Sequence, residues 1–337
     1  MYHYKQRSLV LLYVIFVSMV FTLTGCKTPP KRGENLLIVN FQQGKTLRYH
    51  MTSTRETLLE LKSSKTGDKQ GQPQKTSESL ELVMAYKPVK VNPFGLTRLE
   101  CTCESAKVTR TALTGKNKQV GDAIEKLAGK TFILELSPVG KIQDFKDLEK
   151  LLFDIGTTAF DTSRKDMRIK NPDMIYDFVA LQWYLWDSIS SFPNPMEGVR
   201  QGMKWTSIQL IAWPIAMYKM PCRITTFTLD SIKEENGQQK AVIDSTYELS
   251  PDTVENYPKP YEGTFQMRSL FGFLRDYKFQ TLTGHGQQIF NLTTGEVESD
   301  QQQSDLTATA SFPFPLGDSV PHIDVHQTLT VKLLDTP

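Results

Sequence analysis

Alternating apolar and polar positions recur along most of the chain and predict long β-strands. Residues 79–91 carry leucine or methionine at every second position over much of their length, and residues 96–110 repeat that spacing. A period of two with one wetter face is typical of antiparallel sheet. The threonine-rich stretch 45–61 and the stretches 285–310 and 321–334 add further predicted strands.

Two turns predict hairpins between such strands. Residues 137–140, Ser-Pro-Val-Gly, follow the apolar run 131–136 and precede a short second strand. Asn236-Gly237 separates 221–233 from 239–249. Asn-Gly readily adopts the two positive φ angles of a type I′ turn, which suits a two-residue hairpin.

The middle of the chain, around 144–191, changes to helical spacing. Residues 147–156 predict a short helix, and 172–191 predict a longer helix rich in aromatic residues. Asn171-Pro172-Asp173 supplies a capping residue, a proline at the first helical position and an early acid. These helices interrupt a β chain instead of alternating with its strands, which excludes a doubly wound α/β fold. The predicted class is mainly β (α+β), a large curved antiparallel sheet with a helical insert.

A weak repeat suggests how the sheet is assembled. Residues 129–142 and 284–297 share a glycine, an apolar strand, a short turn ending in glycine, a charge and a β-branched residue. The pattern predicts two related β halves, 36–142 and 202–337, with the helical insert 143–201 between them. The alternative is that any two hairpins look alike.

The first 25 residues have the organisation of a secretory signal peptide. Lys5 and Arg7 precede sixteen uncharged residues, from Ser8 to Leu23. The alternative is a transmembrane helix, but that needs about 20 apolar residues. Pro29-Pro30 would also end such a helix soon afterwards.

The exit from this run, Leu23-Thr24-Gly25-Cys26, resembles the lipobox of bacterial lipoproteins. The resemblance implies that the Cys26 thiol accepts a diacylglyceryl group, that a peptidase cuts before Cys26, and that the new amine is acylated. Two or three acyl chains together make a permanent membrane anchor, and residues 26–35 then form an acylated tether. Asp after the cysteine favours inner-membrane retention in enteric bacteria. By that analogy Lys27 implies the outer membrane, facing the periplasm.

The rest of the chain resembles an uncharacterised family of β-rich bacterial lipoproteins of unknown function. The shared features are a Leu-Ser-x-x-Gly hairpin, here Leu136 to Gly140, and a Gly-x-x-Trp motif, here Gly202 to Trp205. This family implies no catalytic residue. A more distant likeness is to curved-sheet envelope lipoproteins that carry lipids on long bent strands around a helix. Here the helices stand in the middle of the chain, so the order of elements differs.

Charge and cysteine content narrow the classes of function. Without residues 1–25 the chain holds 37 basic residues, two fewer than the full 39, and 37 acidic residues. A neutral chain has no electrostatic reason to bind nucleic acid. Three cysteines follow Cys26, and an odd number cannot all form internal disulfides: Cys101, Cys103 and Cys222. Two alternatives fit an oxidising compartment: one disulfide, or three buried free thiols.

The best metal candidates are His322, Asp324 and His326. On a strand their side chains point to one face, with neighbours about 6.6 Å apart along the backbone, and two histidines at that spacing can reach one ion. A metal-dependent hydrolase or metalloprotein is therefore the alternative function. The competing interpretation is that these residues form the solvent-exposed face of an ordinary strand. His285 lies between two glycines and could occupy a tight bend.

The aromatic helix supports the preferred function. Phe178, Trp183 and Trp186 either belong to a core helix that covers the sheet or line an apolar cavity that holds a hydrophobic ligand. An exposed aromatic face could instead dock an envelope protein. The sequence thus favours a lipid-anchored, non-enzymatic binding or structural module over an enzyme. It predicts no catalytic residue, no cofactor and no nucleic-acid partner.

Overall fold

The computed structural model describes residues 35–63, 73–111, 121–160, 168–169, 173–213, 220–261, 266–267, 274–312 and 319–334. The predicted signal peptide, Cys26 and nearly all of the tether lie outside these residues. Thirteen strands are present in the described part of the chain, and the mainly β prediction is confirmed. They are β1 (Leu47–Ser63), β2 (Gln74–Val91), β3 (Thr97–Thr111), β4 (Thr131–Leu136), β5 (Ile142–Asp144), β6 (Arg168–Ile169), β7 (Lys204–Leu210), β8 (Cys222–Glu235), β9 (Gln238–Ser250), β10 (Gln266–Met267), β11 (Arg275–Asn291), β12 (Glu296–Ser311) and β13 (Ser319–Leu334).

Eleven of these strands form one antiparallel sheet in the order β5-β4-β3-β2-β1-β13-β12-β11-β9-β8-β7. The sheet consists of two meanders, β1 to β5 and β7 to β13, joined where the first and last strands pair. That pairing runs from Arg48 opposite Leu334 to Ser63 opposite Ser319. β6 and β10 form a separate parallel pair. Strands β1 to β4 and β7 to β13 lie within the predicted ranges 36–142 and 202–337, and β5 extends two residues past the first range. A relationship between the two halves stays a prediction.

Both predicted hairpins are present. β4 and β5 pair across the turn 137–141, and β8 and β9 pair across Asn236-Gly237. Asn236 and Gly237 have φ angles of 53° and 75°. These positive angles are those that a type I′ turn requires.

The three α-helices of the described residues lie in the predicted insert: α1 (Lys146–Thr157), α2 (Ile175–Tyr184) and α3 (Asp187–Ser190). The prediction of one continuous helix over 172–191 is wrong, because Trp186 leaves helical geometry at φ −115° and ψ 10° and α3 begins after it. Asn171 and Pro172 lie outside the described residues. Asp173 forms a turn just before α2, since its Oδ1 accepts a hydrogen bond from the Ile175 N–H at 3.1 Å, whereas the N-cap residue is Met174.

The sheet curls around α2. Trp183 is the one residue of this ten-residue helix that is not fully buried, which is expected when other elements surround a helix. Phe178 packs edge-on against Phe132 of β4 with ring centroids 6.2 Å apart. At the other end of the helix, the Tyr184 hydroxyl donates to the carbonyl of Leu210 on β7. One helix therefore touches strands at both margins of the sheet.

The curled sheet does not close, because its edge strands β5 and β7 are not paired with each other. We call the gap between them the seam. The helix α1 packs beside β4, and its Gly156 leaves space for the backbone carbonyl of Pro260. Phe160 and Tyr261 stack edge-on at 5.7 Å. Thus α1 and the segment that follows β9 cover part of the seam.

The segment 35–46 crosses one end of the curled sheet, here called the basal end, which carries the β2–β3, β4–β5 and β11–β12 turns. The Asn40 N–H donates to the carbonyl of Gly295, and the Gly44 N–H donates to the carbonyl of Pro88, both at 3.1 Å. Three apolar side chains of this segment are buried, so the segment seals the core at the basal end: Leu37, Val39 and Phe41. No helix in the described ranges is long and apolar enough to cross a bilayer.

Candidate functional site

A pocket of about 430 Å³ opens at the seam, near the basal end. Both free margins of the sheet line it, since residues 140–142 come from the β4–β5 hairpin and Ser207 and Ile208 come from β7. This volume lies within the range of small-molecule sites in proteins. The other walls come from α2, α3, the residues between and after them, and the segment after β9: Gln182, Trp183, Trp186, Asp187, Ser190, Ser191, Val254 and Asn256.

The structure brings two of the three predicted ligand-contact residues to this pocket. Trp183 is partly exposed and packs edge-on against Phe145 at 5.3 Å. Trp186 is buried and packs edge-on against the ring of Tyr86 at 5.3 Å. Phe178 does not line the pocket, because it faces the core under β4. Ligand contact by either indole stays a prediction.

Gly140 fixes how closely the β4–β5 turn approaches the aromatic wall. Its φ of +81° belongs to the left-handed region, which disfavours other residues. A Cβ added there would lie 2.9 Å from Cγ2 of Val39 and 3.1 Å from Cβ of Trp186. The glycine of the Leu136–Gly140 hairpin motif is therefore required by packing at the pocket wall as well as by backbone conformation.

Asp187 is a partly buried carboxylate in the pocket lining, and no pattern in the sequence singled it out. It accepts hydrogen bonds from Ser207 Oγ at 3.0 Å and from Gln209 Nε2 at 2.5 Å. Burial raises the pKa of Asp187 to about 6, against the opposing effects of these two bonds and of the Arg223 and Lys141 charges. At neutral pH the pocket therefore contains a partly buried carboxylate that is mainly ionised.

Arg223 balances this negative charge from inside the sheet. Its guanidinium carbon lies 4.0 Å from the ring centroids of both Tyr184 and Tyr247, a cation–π geometry on two faces. It also donates to Gln209 Oε1 at 2.8 Å and to Gln302 Oε1 at 2.7 Å. Since Gln209 also donates to Asp187, one amide links the buried cation with the pocket carboxylate.

A second buried ionic cluster fixes the other end of α2. Arg55 on β1 donates to Asp177 on α2 at 2.7 Å and to Glu78 on β2 at 2.7 Å, and Arg110 on β3 donates to Glu78 at 2.6 Å. Burial alone would raise the pKa of Glu78, but the two guanidinium groups hold it below its ordinary value. This cluster connects one helix to three strands.

The metal candidates lie elsewhere. His322, Asp324 and His326 share the partly exposed outer face of β13, and Nδ1 of His326 is 2.7 Å from Oδ1 of Asp305. Among the residues that the structure describes, no group of three or more His, Cys, Asp or Glu side chains could hold a metal ion. The metalloprotein alternative therefore gains no support from this geometry.

His285 is not at a tight bend, so that expectation is wrong. It lies inside the long strand β11. A Cβ at Gly284 or at Gly286 would collide with the Tyr247 side chain. The two glycines therefore give space to a tyrosine on the neighbouring strand β9.

The three cysteines are buried free thiols, which is one of the two alternatives that the sequence left open. Cys101 and Cys103 share the buried face of β3, and Cys222 begins β8 on the far side of the sheet. Burial raises the pKa of Cys103 to about 12. Thiols with raised pKa values are poor nucleophiles, so their role in this protein is packing.

Comparisons with known proteins do not identify the chain. No protein family model and no curated protein match it. Among solved structures it is similar to an outer membrane channel from Pseudomonas putida F1, with 7% identity over 91% of this chain and 100% of the channel chain. The TM-score is 0.22, and at that value the likeness supports no inference about fold or function.

Proposed function

We propose that the protein is a lipid-anchored binding module of the cell envelope that holds a small amphipathic ligand in the seam pocket. The observation that carries this proposal is the position of the pocket, where two unpaired strand margins, two indoles and a partly buried carboxylate meet. A mostly apolar recess with a few placed polar groups is the usual form of a small-molecule site.

The lining indicates the chemistry of the ligand. The indoles of Trp183 and Trp186, together with Val254, offer a wall for an apolar chain or ring. Asp187 accepts one protein hydrogen bond on each carboxylate oxygen, and each oxygen has a further lone pair for a ligand donor. The expected ligand has an apolar body and a hydroxyl or amine group.

Two variants test the pocket. The full processed protein would first be isolated from an envelope extract for mass spectrometry of bound small molecules. The protein would then be titrated with N-phenyl-1-naphthylamine, a fluorescent probe with an apolar body and an N–H donor. Trp183→Ala should weaken probe binding about tenfold, the loss of about 1.4 kcal/mol of aromatic contact. Phe94→Ala, a truncation of an exposed aromatic outside the pocket, is the matched control and should bind as the parent does.

Equal affinities for the two variants, or a protein that is isolated empty and binds no probe, would refute the pocket as the functional site. A structural or protein-docking role would then be the better proposal.

The lipid anchor at Cys26 is the second part of the proposal and rests on the lipobox resemblance. Intact mass spectrometry of the processed protein should show a chain that begins at Cys26 and carries diacylglyceryl and acyl groups. Cys26→Ser should remove that added mass, because only a thiol forms the thioether. The sucrose-gradient position of the acylated protein then distinguishes outer from inner membrane, for which Lys27 favours the outer.

A further inference from the structure

The most exposed large apolar side chain of the described residues lies at the basal end. Phe94 is 83% exposed at the tip of the β2–β3 turn, and Leu96 beside it is 46% exposed. Asn92 holds this tip in place, because its Oδ1 accepts hydrogen bonds from the Phe94 and Leu96 N–H groups, both at 2.9 Å. The aromatic ring is therefore presented outward by a fixed turn.

The same turn touches the pocket hairpin. A Cβ added to Gly95 would lie 2.9 Å from Cβ of Pro138, so the two turns are in contact. Two residues later in that hairpin, Gly140 and then Lys141 line the seam pocket. Exposed Lys90, four residues before Phe94, and exposed Lys141, in the contacting hairpin, add positive charge to this end of the sheet. An apolar tip with nearby lysines is the composition that suits an anionic lipid surface.

The start of the described chain lies at this end too. The Val199 N–H, just before β7, donates to the carbonyl of Asn35 at 2.8 Å. Asn35 is nine residues after Cys26, and nine residues span at most about 30 Å. The 17-residue strand β1 extends about 55 Å away from the basal end. An acyl anchor at Cys26 therefore keeps the basal end, and not the opposite end, close to the bilayer.

We propose that the turn 92–96 inserts Phe94 and Leu96 into the membrane that carries the anchor, so that the seam pocket opens at the lipid surface. The inference rests on the proposed acylation of Cys26 and is independent of ligand binding in the pocket. The occupant is an anionic lipid bilayer. The tether strengthens this preference, because Lys27, Lys31 and Arg32 outnumber its one acid, Glu34.

The test uses the full processed chain in vesicles of phosphatidylethanolamine and phosphatidylglycerol whose acyl chains carry bromine, a short-range quencher of tryptophan. Phe94→Trp is compared with Val320→Trp, an apolar position 44% exposed at the opposite end of the sheet. The parent protein has four tryptophans, and its emission is subtracted from the emission of each variant. Bromine should remove more than half of the added emission at position 94 and less than a tenth at position 320.

Equal quenching at the two positions, or none at position 94, would overturn the proposal. Burial of position 94 by a second copy of the chain or by a protein would leave its emission unquenched and so would also overturn it. Trp183→Ala placed in the Phe94→Trp background separates the two proposals. In that variant the quenching, which tests membrane insertion, should persist, while probe binding, which tests the pocket, should fall. Either proposal can therefore fail without the other.

Discussion

The Arg55 guanidinium and the Asp177 carboxylate form a buried ion pair between β1 and α2, with Nη1 and Oδ2 2.7 Å apart. The two residues are 122 positions apart in the chain. A helix that is apolar on nearly every side has no preferred rotation inside an apolar shell. The pair contributes to that preference because it turns one side of α2 toward β1, as do the hydrogen bonds of Gln182 and Tyr184 on the same helix.

Arg55→Leu should lower the free energy of unfolding by about 3–5 kcal/mol, because Asp177 loses the buried cation that compensates its charge. The double variant Arg55→Leu, Asp177→Asn should recover part of that loss, since the uncompensated charge is removed. Urea denaturation at pH 7 measures both. Additive losses in this double-mutant cycle would show that the pair is not coupled.

Asp300 should make stability depend on pH. Burial raises the pKa of Asp300 to about 6, against opposing hydrogen bonds from Gln302 and Gln288 and the charge of Arg223. The ordinary aspartate value is about 4, so between pH 4 and 6 the native state holds more protons than the unfolded state. Its stability therefore falls as pH rises through this window and levels off above it.

Asp300→Asn removes this titration. The difference in unfolding free energy, parent minus variant, should decrease by about 2 kcal/mol from pH 4 to pH 6 and stay constant from pH 7 to pH 8. Urea denaturation at each pH measures it. A difference that is constant over the whole range would contradict the prediction.

Tyr49→Phe should leave stability unchanged or raise it by about 1 kcal/mol. The Tyr49 hydroxyl is buried without a hydrogen-bond partner among the described residues, and an unpaired buried hydroxyl is destabilising. Tyr86→Phe is the matched control, because the two rings lie 5.9 Å apart and the Tyr86 hydroxyl donates to Gln182. That control should lose about 1–3 kcal/mol in thermal unfolding. Equal losses in both variants would mean that Tyr49 has a partner.

Gly140→Ala should destabilise the protein and weaken probe binding in the seam pocket, because a methyl group would press on Val39 and Trp186. Gly44→Ala is the control. Its φ of +85° is nearly that of Gly140, but nothing lies within 4 Å of the added carbon. The control isolates the backbone cost of about 1 kcal/mol. If both variants bind the probe equally well, the Gly140 contact does not shape the pocket.

The strands could be predicted from sequence because one face of each is buried, which imposes a period of two. The Asn236-Gly237 hairpin could be predicted because its φ angles favour those residues. The ends of the aromatic helix could not be predicted from sequence. The sheet surrounds α2, so the helix has no polar stripe whose interruption at Trp186 would mark its end.

The site was predictable only in part. Trp183, Trp186 and Phe178 give the same signal in sequence, a large aromatic residue on one helix, and only the curl of the sheet places two of them at the seam. Asp187 meets Ser207 and Lys141 because β5 and β7 are left unpaired. Which strands remain unpaired depends on the whole sheet, and no local pattern records it.

The pairing of β1 with β13 has a consequence for how the molecule is made. The 16-residue strand β13 follows every other strand of the sheet in the chain and joins the two meanders, so a ribosome has synthesised all the other strands before the sheet can become continuous. Until then β1 and β12 each present an open edge that invites association with other chains. A nascent polypeptide of this design needs a chaperone or rapid passage through a translocon, and a stop codon placed before β13 would yield two separate half-sheets prone to aggregation.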